Sequence, residues 1–341
     1  MFTCIYCLQN EPDVKPSETH IFPDAMGGLT SARDIVCVTC NRKNGRAFEQ
    51  VEIRKLAFFQ SIWGIKNRRG KTAGVRAVLR FEGREASVTL DHMGQPKTAM
   101  VIPQAQEDGK KAYSIVGPAE HVEAKRQEIG NKLPSIQWHE MDVTNRTPPE
   151  TIIPFDSDLS RASVRRLAAR VAFERWAQSR GPLVVIDRQY DPIRNFILTG
   201  AEPDLRCGVL ADSQLLNGML NFPTGNHAVV ILAHPRSQVL GSLVAFYSLF
   251  YFWIVLSRDY RALTAFDDLL REDPQRNEVH NPVLRSGTGN LLVKWHMLEK
   301  AYSVDPGKVT RKAIQHAARK FQASADKFYL SKTRNDMSEK A

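Results

Sequence analysis

Four thiols in two pairs, Cys4-Ile-Tyr-Cys7 and Cys37-Val-Thr-Cys40, are the residues whose type and spacing most directly imply chemistry. A two-residue gap lets both sulfurs of a pair reach one ion, so two such knuckles can close a tetrahedral zinc site. The 29 residues between Cys7 and Cys37 then form a zinc-tied loop that carries His20. Two disulfides are the alternative, but nothing else in the chain argues for an oxidising compartment. The fifth thiol, Cys207, stands apart and reads as inert and buried.

Between the knuckles the chain reads Glu18-Thr19-His20-Ile21-Phe22-Pro23-Asp24-Ala25-Met26-Gly27-Gly28, and Asn41 follows the last cysteine. The joint pattern of Cys-x-x-Cys, His-x-x-Pro, Gly-Gly and Cys-x-x-Cys-Asn resembles the HNH endonuclease family. It is closest to the variety whose ββα-metal fold is tied by a Cys4 zinc. The resemblance covers about the first 70 residues and implies a metal-dependent nuclease acting on nucleic acid, DNA in preference to RNA. It implies His20 as general base, a role suited to a neutral imidazole near neutral pH. Asn41 falls where the family places a metal-binding Asn or His, for a catalytic Mg²⁺ or Mn²⁺ separate from the structural Zn²⁺. Arg42, Lys43, Arg46, Arg68 and Arg69 are the expected phosphate contacts.

Two positions depart from the family pattern. The residue before the base is usually acidic and supplies a second metal ligand, but here it is Thr19. The middle Asn of the motif aligns with Asp34, which can either brace the loop or replace the missing acid; Glu18 is the other carboxylate nearby. The rival reading is therefore a non-catalytic, zinc-containing nucleic-acid-binding protein on an HNH scaffold, and a third is a zinc-stapled protein-interaction adaptor. His20 as a structural histidine and Asn41 as a helix N-cap are the corresponding modest readings.

Elements that must position these groups follow from the rest of the chain. The 341 residues are 43% hydrophobic and 25% charged, an ordinary globular composition, with net charge +10 favouring polyanion partners. Three regions are expected: a zinc module over 1–70, a β-containing connecting region over 71–150, and an α+β domain of unknown role over 151–341. Short strands are expected at Val75 to Phe81, Ala86 to Leu90 and Thr98 to Pro103, and a charged helix over 119–131. A helix from about Ser160 to Ser179 carries an apolar stripe, with Arg161, Arg165, Arg166 and Arg170 largely off it, on a solvated face. Core strands are expected between Leu183 and Leu256, and a basic amphipathic helix over 306–330.

The apolar run Val239 to Leu256 approaches the length of a membrane helix. Its glycine and serines, its aromatics and a turn-like segment before it favour a buried β-meander. With no charged leader or apolar run at the start, the chain is expected to be cytoplasmic, with no membrane association. The fold class expected is α+β: a zinc-stapled ββα-metal module followed by a larger mixed region with an antiparallel meander. The appended region would select substrate, regulate cutting or bind a partner, as in a restriction or defence effector.

Overall fold

The computed structural model describes residues 2–67, 69–81, 84–91, 96–104, 112–116, 119–132, 150–152, 161–202, 207–209, 225–234, 238–260 and 266–280. Arg68 and the expected C-terminal helix lie outside these residues. The described residues divide into two compact units, one drawn from 1–71 and 157–318 and the other from 72–156. The fold is mixed α+β with antiparallel sheets.

In the first unit, β1 (Pro16–His20) pairs antiparallel with β2 (Ser31–Cys37), which runs directly into α1 (Val38–Asn44). Cys37 begins that helix: its sulfur accepts the Cys40 amide, so one residue serves both knuckle and helix cap. A π turn, Gly45–Glu49, then leads into α2 (Gln50–Ile62). The wide turn carries Phe48 and Glu49 inward, away from the exposed Arg42, Lys43 and Arg46.

The second unit holds β3 (Val75–Phe81), β4 (Arg84–Leu90), the hairpin β5 (Met100–Gln104) and β6 (Ala112–Val116), α3 (Ala119–Lys132), and β7 (Glu150–Ile152). Strands β4, β3 and β7 form a three-stranded antiparallel sheet.

The chain returns to the first unit with α4 (Ala162–Arg180), which ends where Gly181 adopts a positive φ and Pro182 follows. Next come α5 (Pro182–Val185) and α6 (Asp191–Thr199), then β8 (Cys207–Val209), β9 (His227–His234), β10 (Val239–Phe246), β11 (Phe250–Ser257), β12 (Phe266–Asp273) and β13 (Glu278–His280). Among the described residues these strands build a six-stranded antiparallel sheet in the order β13-β12-β9-β10-β11-β8.

The apolar run Val239 to Leu256 thus forms the last two strands of a meander, β9-β10-β11. Tyr247 and Ser248 both take left-handed φ in the tight turn that joins its last two strands. Every residue of β11 is buried, and all of β10 but Val239, which explains a sequence without polar alternation. No helix among the described residues is long and apolar enough to cross a membrane.

Two expectations are corrected. Residues 182–185 and 191–199 are helical, not strands: proline stands in the first turn of each, where its missing N–H costs nothing. The arginine face of α4 is not solvated. Arg170 is 2% exposed; Arg166 donates to the Ile197 carbonyl at 3.0 and 2.7 Å while its guanidinium lies over the Phe48 ring; Arg165 pairs with Glu202. Helix α4 packs against β9, β10 and β11 on one side and the π turn, α2 and β2 on another. It is the central helix of its unit, so both of its faces are covered.

His227, on β9, is fully buried beneath the loop between β1 and β2. Its Nε2 lies 3.0 Å from the Met26 carbonyl, its Nδ1 accepts the Tyr247 amide at 3.4 Å, and its ring stacks on Phe22. Burial pushes its pKa down to about 4. The folded form therefore holds the ring neutral while the unfolded chain protonates below about 6.5. The stabilising contribution is complete above that pH and is lost as pH falls toward 4; the full difference is about 3 kcal/mol. Denaturant unfolding at stepped pH is expected to show this loss between pH 6.5 and 4. His227→Phe is expected to flatten that limb, zinc release acting on both proteins alike.

Candidate functional site

The first knuckle closes as a tight turn in which the Cys4 amide donates to the Gln9 carbonyl and Leu8 takes a left-handed φ. The second is held by the start of α1. The four ligand atoms of Cys4, Cys7, Cys37 and Cys40 lie within 4.8 Å of one another, and Cys7 and Cys37 sulfurs are 3.8 Å apart. That separation is far beyond a disulfide bond of about 2.05 Å. It equals the edge of a tetrahedron with metal–sulfur bonds of about 2.3 Å. The donor set fits a closed structural zinc site. The Cys40 thiol and backbone amides, Cys37's among them, pull Cys4 down to about 4, whereas burial pushes Cys7 up to about 11. A divalent ion would favour the thiolate at all four positions.

Beside the zinc cluster, β1 carries His20 and α1 carries Asn41. The Asn41 amide nitrogen donates to the Ser17 hydroxyl at 2.9 Å and to the Glu18 carbonyl at 3.1 Å. Both hydrogens of that amide are thereby spent on β1, and Oδ1 is the atom left to accept from, or ligate, something else. His20 is half-buried, Glu18 exposed and Thr19 buried, as alternation along a strand requires. Glu18 and His20 therefore share a face, and Thr19 points the other way. Asp34 is exposed on β2, where pairing with β1 is irregular: Ser17 faces Val36, but Thr19 already faces Ala32. Arg33, Asp34 and Ile35 thus fall opposite Glu18, outside the regular ladder.

Thr19 is committed to the interior. Its hydroxyl accepts from Arg170 Nη2 at 2.6 Å and donates to Glu174 Oε2 at 3.0 Å. The same Nη2 donates to the His20 carbonyl at 3.0 Å; Arg170 Nε donates to Glu174 Oε1 at 2.9 Å, and Nη1 lies 3.0 Å from Glu49 Oε1. The Tyr6 hydroxyl, from the first knuckle, completes the group by donating to Glu174 Oε1 at 3.0 Å. Burial opposes the Arg170 charge, but Glu174 and Glu49 together raise its pKa further. Burial also pushes the Glu49 carboxyl and the Tyr6 phenol upward.

Residues 4–56 match the HNH endonuclease family. No curated protein and no solved structure matches the chain. The HNH match begins at Cys4 and ends within α2, so it spans the cysteine cluster, the two strands and α1.

The loop between the strands of the HNH module is gripped by later parts of the chain. Glu272 accepts the Leu29 and Thr30 amides at 2.8 and 2.9 Å, Gln178 donates to the Ser31 carbonyl, and the Gln60 amide donates to Ala25. Gly27 has φ +90°, and a Cβ there would approach Ile65 at 2.4 Å; one on Gly28 would meet the Phe22 carbonyl oxygen at 1.8 Å. The Gly-Gly pair is required by this close packing as well as by the turn.

Of the residues expected to act, Asn41 is joined directly to β1, and Asp34 stands in the irregular stretch of β2 opposite Glu18. Arg42, Lys43, Arg46 and Arg69 are all exposed, the first three on α1 and the π turn. Ser17, Arg170 and Glu174 were missed by sequence reasoning. Arg170 and Glu174 do sit four apart on a helix, a spacing that pairs charges, but nothing local reveals that the pair is buried.

Metal analysis of the purified protein is expected to find one zinc per chain, and Cys4→Ser or Cys37→Ser to lose it together with cooperative unfolding. Arg170→Met leaves Glu174 and Glu49 without a cation in the interior. Denaturant unfolding of the zinc-loaded variant is expected to show a loss of about 3–5 kcal/mol.

Proposed function

We propose that this protein is a metal-dependent HNH endonuclease that hydrolyses nucleic-acid phosphodiester bonds, with DNA the preferred substrate. The observation that carries the reading is the HNH match over a module in which Asn41 is bonded to the strand that bears His20. His20 takes the proton of the attacking water through its imidazole. Asn41 Oδ1, with the Asp34 or Glu18 carboxylate, offers oxygen ligands suited to a hard cation such as Mg²⁺ or Mn²⁺. When bound, that ion supplies Lewis-acid stabilisation of charge on the phosphate and the leaving oxygen. Arg42, Lys43 and Arg46 hold the backbone phosphates, with Arg69 and Arg68 as further contacts. The closed Cys4 site has no open position and serves structure alone.

Residues beyond the HNH module would choose the substrate or regulate cutting, within the cytoplasm in a restriction or defence setting. The inward orientation of Thr19 favours one rival, a zinc-containing nucleic-acid-binding protein that has lost catalysis. Both readings expect salt-dependent binding to DNA. Incubation with supercoiled plasmid separates them. Nicking in Mg²⁺ or Mn²⁺ that falls about 100-fold or more in His20→Ala, and falls also in Asn41→Ala, is the result expected of the nuclease. Binding without cutting in either metal supports the rival. Cleavage that survives His20→Ala would eliminate the proposed base.

A further inference from the structure

A single guanidinium touches both halves of the candidate site from below. Arg170 Nη2 holds the His20 carbonyl and the Thr19 hydroxyl on β1, while Nη1 pairs with Glu49, which ends the π turn continuous with the Asn41 helix. Its Nε is fixed by Glu174 one turn along α4, so a swing of the fork would take the cation away from that buried carboxylate. From above, Asn41 is tied to the same strand at Ser17 and Glu18. Strand and helix are therefore clamped on two sides, and the lower clamp belongs to a part of the chain outside the HNH match.

We propose that Arg170 is a positioning residue for the site, setting the placement of His20 relative to Asn41 through the His20 carbonyl, the Thr19 hydroxyl and Glu49. The proposal rests on the reading of His20 and Asn41 given above. It needs a planar fork: Nε and Nη2 donate to three acceptors in fixed directions while Nη1 lies in ion-pair contact with Glu49, which the point charge of a lysine does not reproduce. Arg170→Lys keeps the interior cation but loses the fork. Glu49→Gln keeps Arg170 and Glu174 and loosens only the tie to the helix side.

The test uses the full-length, zinc-loaded protein and both variants. Zinc content and thermal unfolding report the fold. The ¹H–¹³C signal of the His20 ring, assigned by its disappearance in His20→Gln, is recorded without substrate or added cation. Nicking of plasmid in Mn²⁺ supplies kcat and KM. The expected result is a displaced His20 signal in both variants with zinc retained, and kcat lowered about 10- to 100-fold while KM holds. A His20 signal at its wild-type position, or a wild-type kcat, in a folded variant overturns the proposal. If Arg170→Lys does not fold, Glu49→Gln decides. Wild-type protein that cuts nothing defeats the nuclease reading instead, and the ring signal then decides the positioning role alone.

Discussion

Arg170 carries a full charge into the interior, and the cost of removing a guanidinium from water falls on whatever surrounds it. Here its surroundings come from every quarter of the unit: Glu174 on its own helix, Glu49 after the π turn, Thr19 and the His20 carbonyl on β1, and Tyr6 one bond further, in the first zinc knuckle. Each partner must stay in place for the charge to be tolerated. Apolar packing would allow these elements to slide by fractions of an ångström. A network of directional bonds around a buried ion does not, and this makes the relative position of knuckle, strand and central helix a single structural variable.

The zinc cluster and this network divide the work of holding the HNH module. A small ββα unit has little interior, and a zinc ion held by the four sulfurs would substitute for a core at the end where the knuckles meet. At the other end lies the loop between β1 and β2. It is held by groups from the large sheet: Glu272 on two successive amides, His227 on the Met26 carbonyl, and Phe246 against Phe22. Burial pushes Glu272 upward in pKa, the two amides opposing it, so the carboxylate serves as a lock on the loop at a cost in desolvation. The module is thus built into its unit, with shared contacts along its whole length.

What was legible in the sequence depended on distance along the chain. The knuckles are local, and spacing alone predicts four sulfurs around one ion. The meander is nearly so, because an apolar run interrupted by turn residues has few other solutions. The apolar stripe locates the start of helix α4 to within two residues, yet it implies a solvated arginine face where the structure has a covered one. A periodic stripe implies one buried face only when the other meets water, and α4 is covered on both. The partner that buries Arg170 lies 151 residues away, a relation no local pattern encodes. The helices after Gly181 were missed for a different reason: short apolar runs do not distinguish helix from strand, and the available sign was proline in the first turn of each.

Thr19 joins these points. At the position where HNH proteins usually carry an acid, this chain has a hydroxyl that accepts from Arg170 and donates to Glu174. An aspartate there would meet Arg170 favourably but would add a third carboxylate beside Glu174 and Glu49, in a space with one cation. A hydroxyl can donate to one neighbour and accept from the other, which a carboxylate cannot. The missing acid and the embedding of the module are then two views of one substitution. Once α4 is packed beneath β1, the side chain at position 19 belongs to the interior, and any carboxylate serving the site must come from the outer face of the strand or from β2 opposite it.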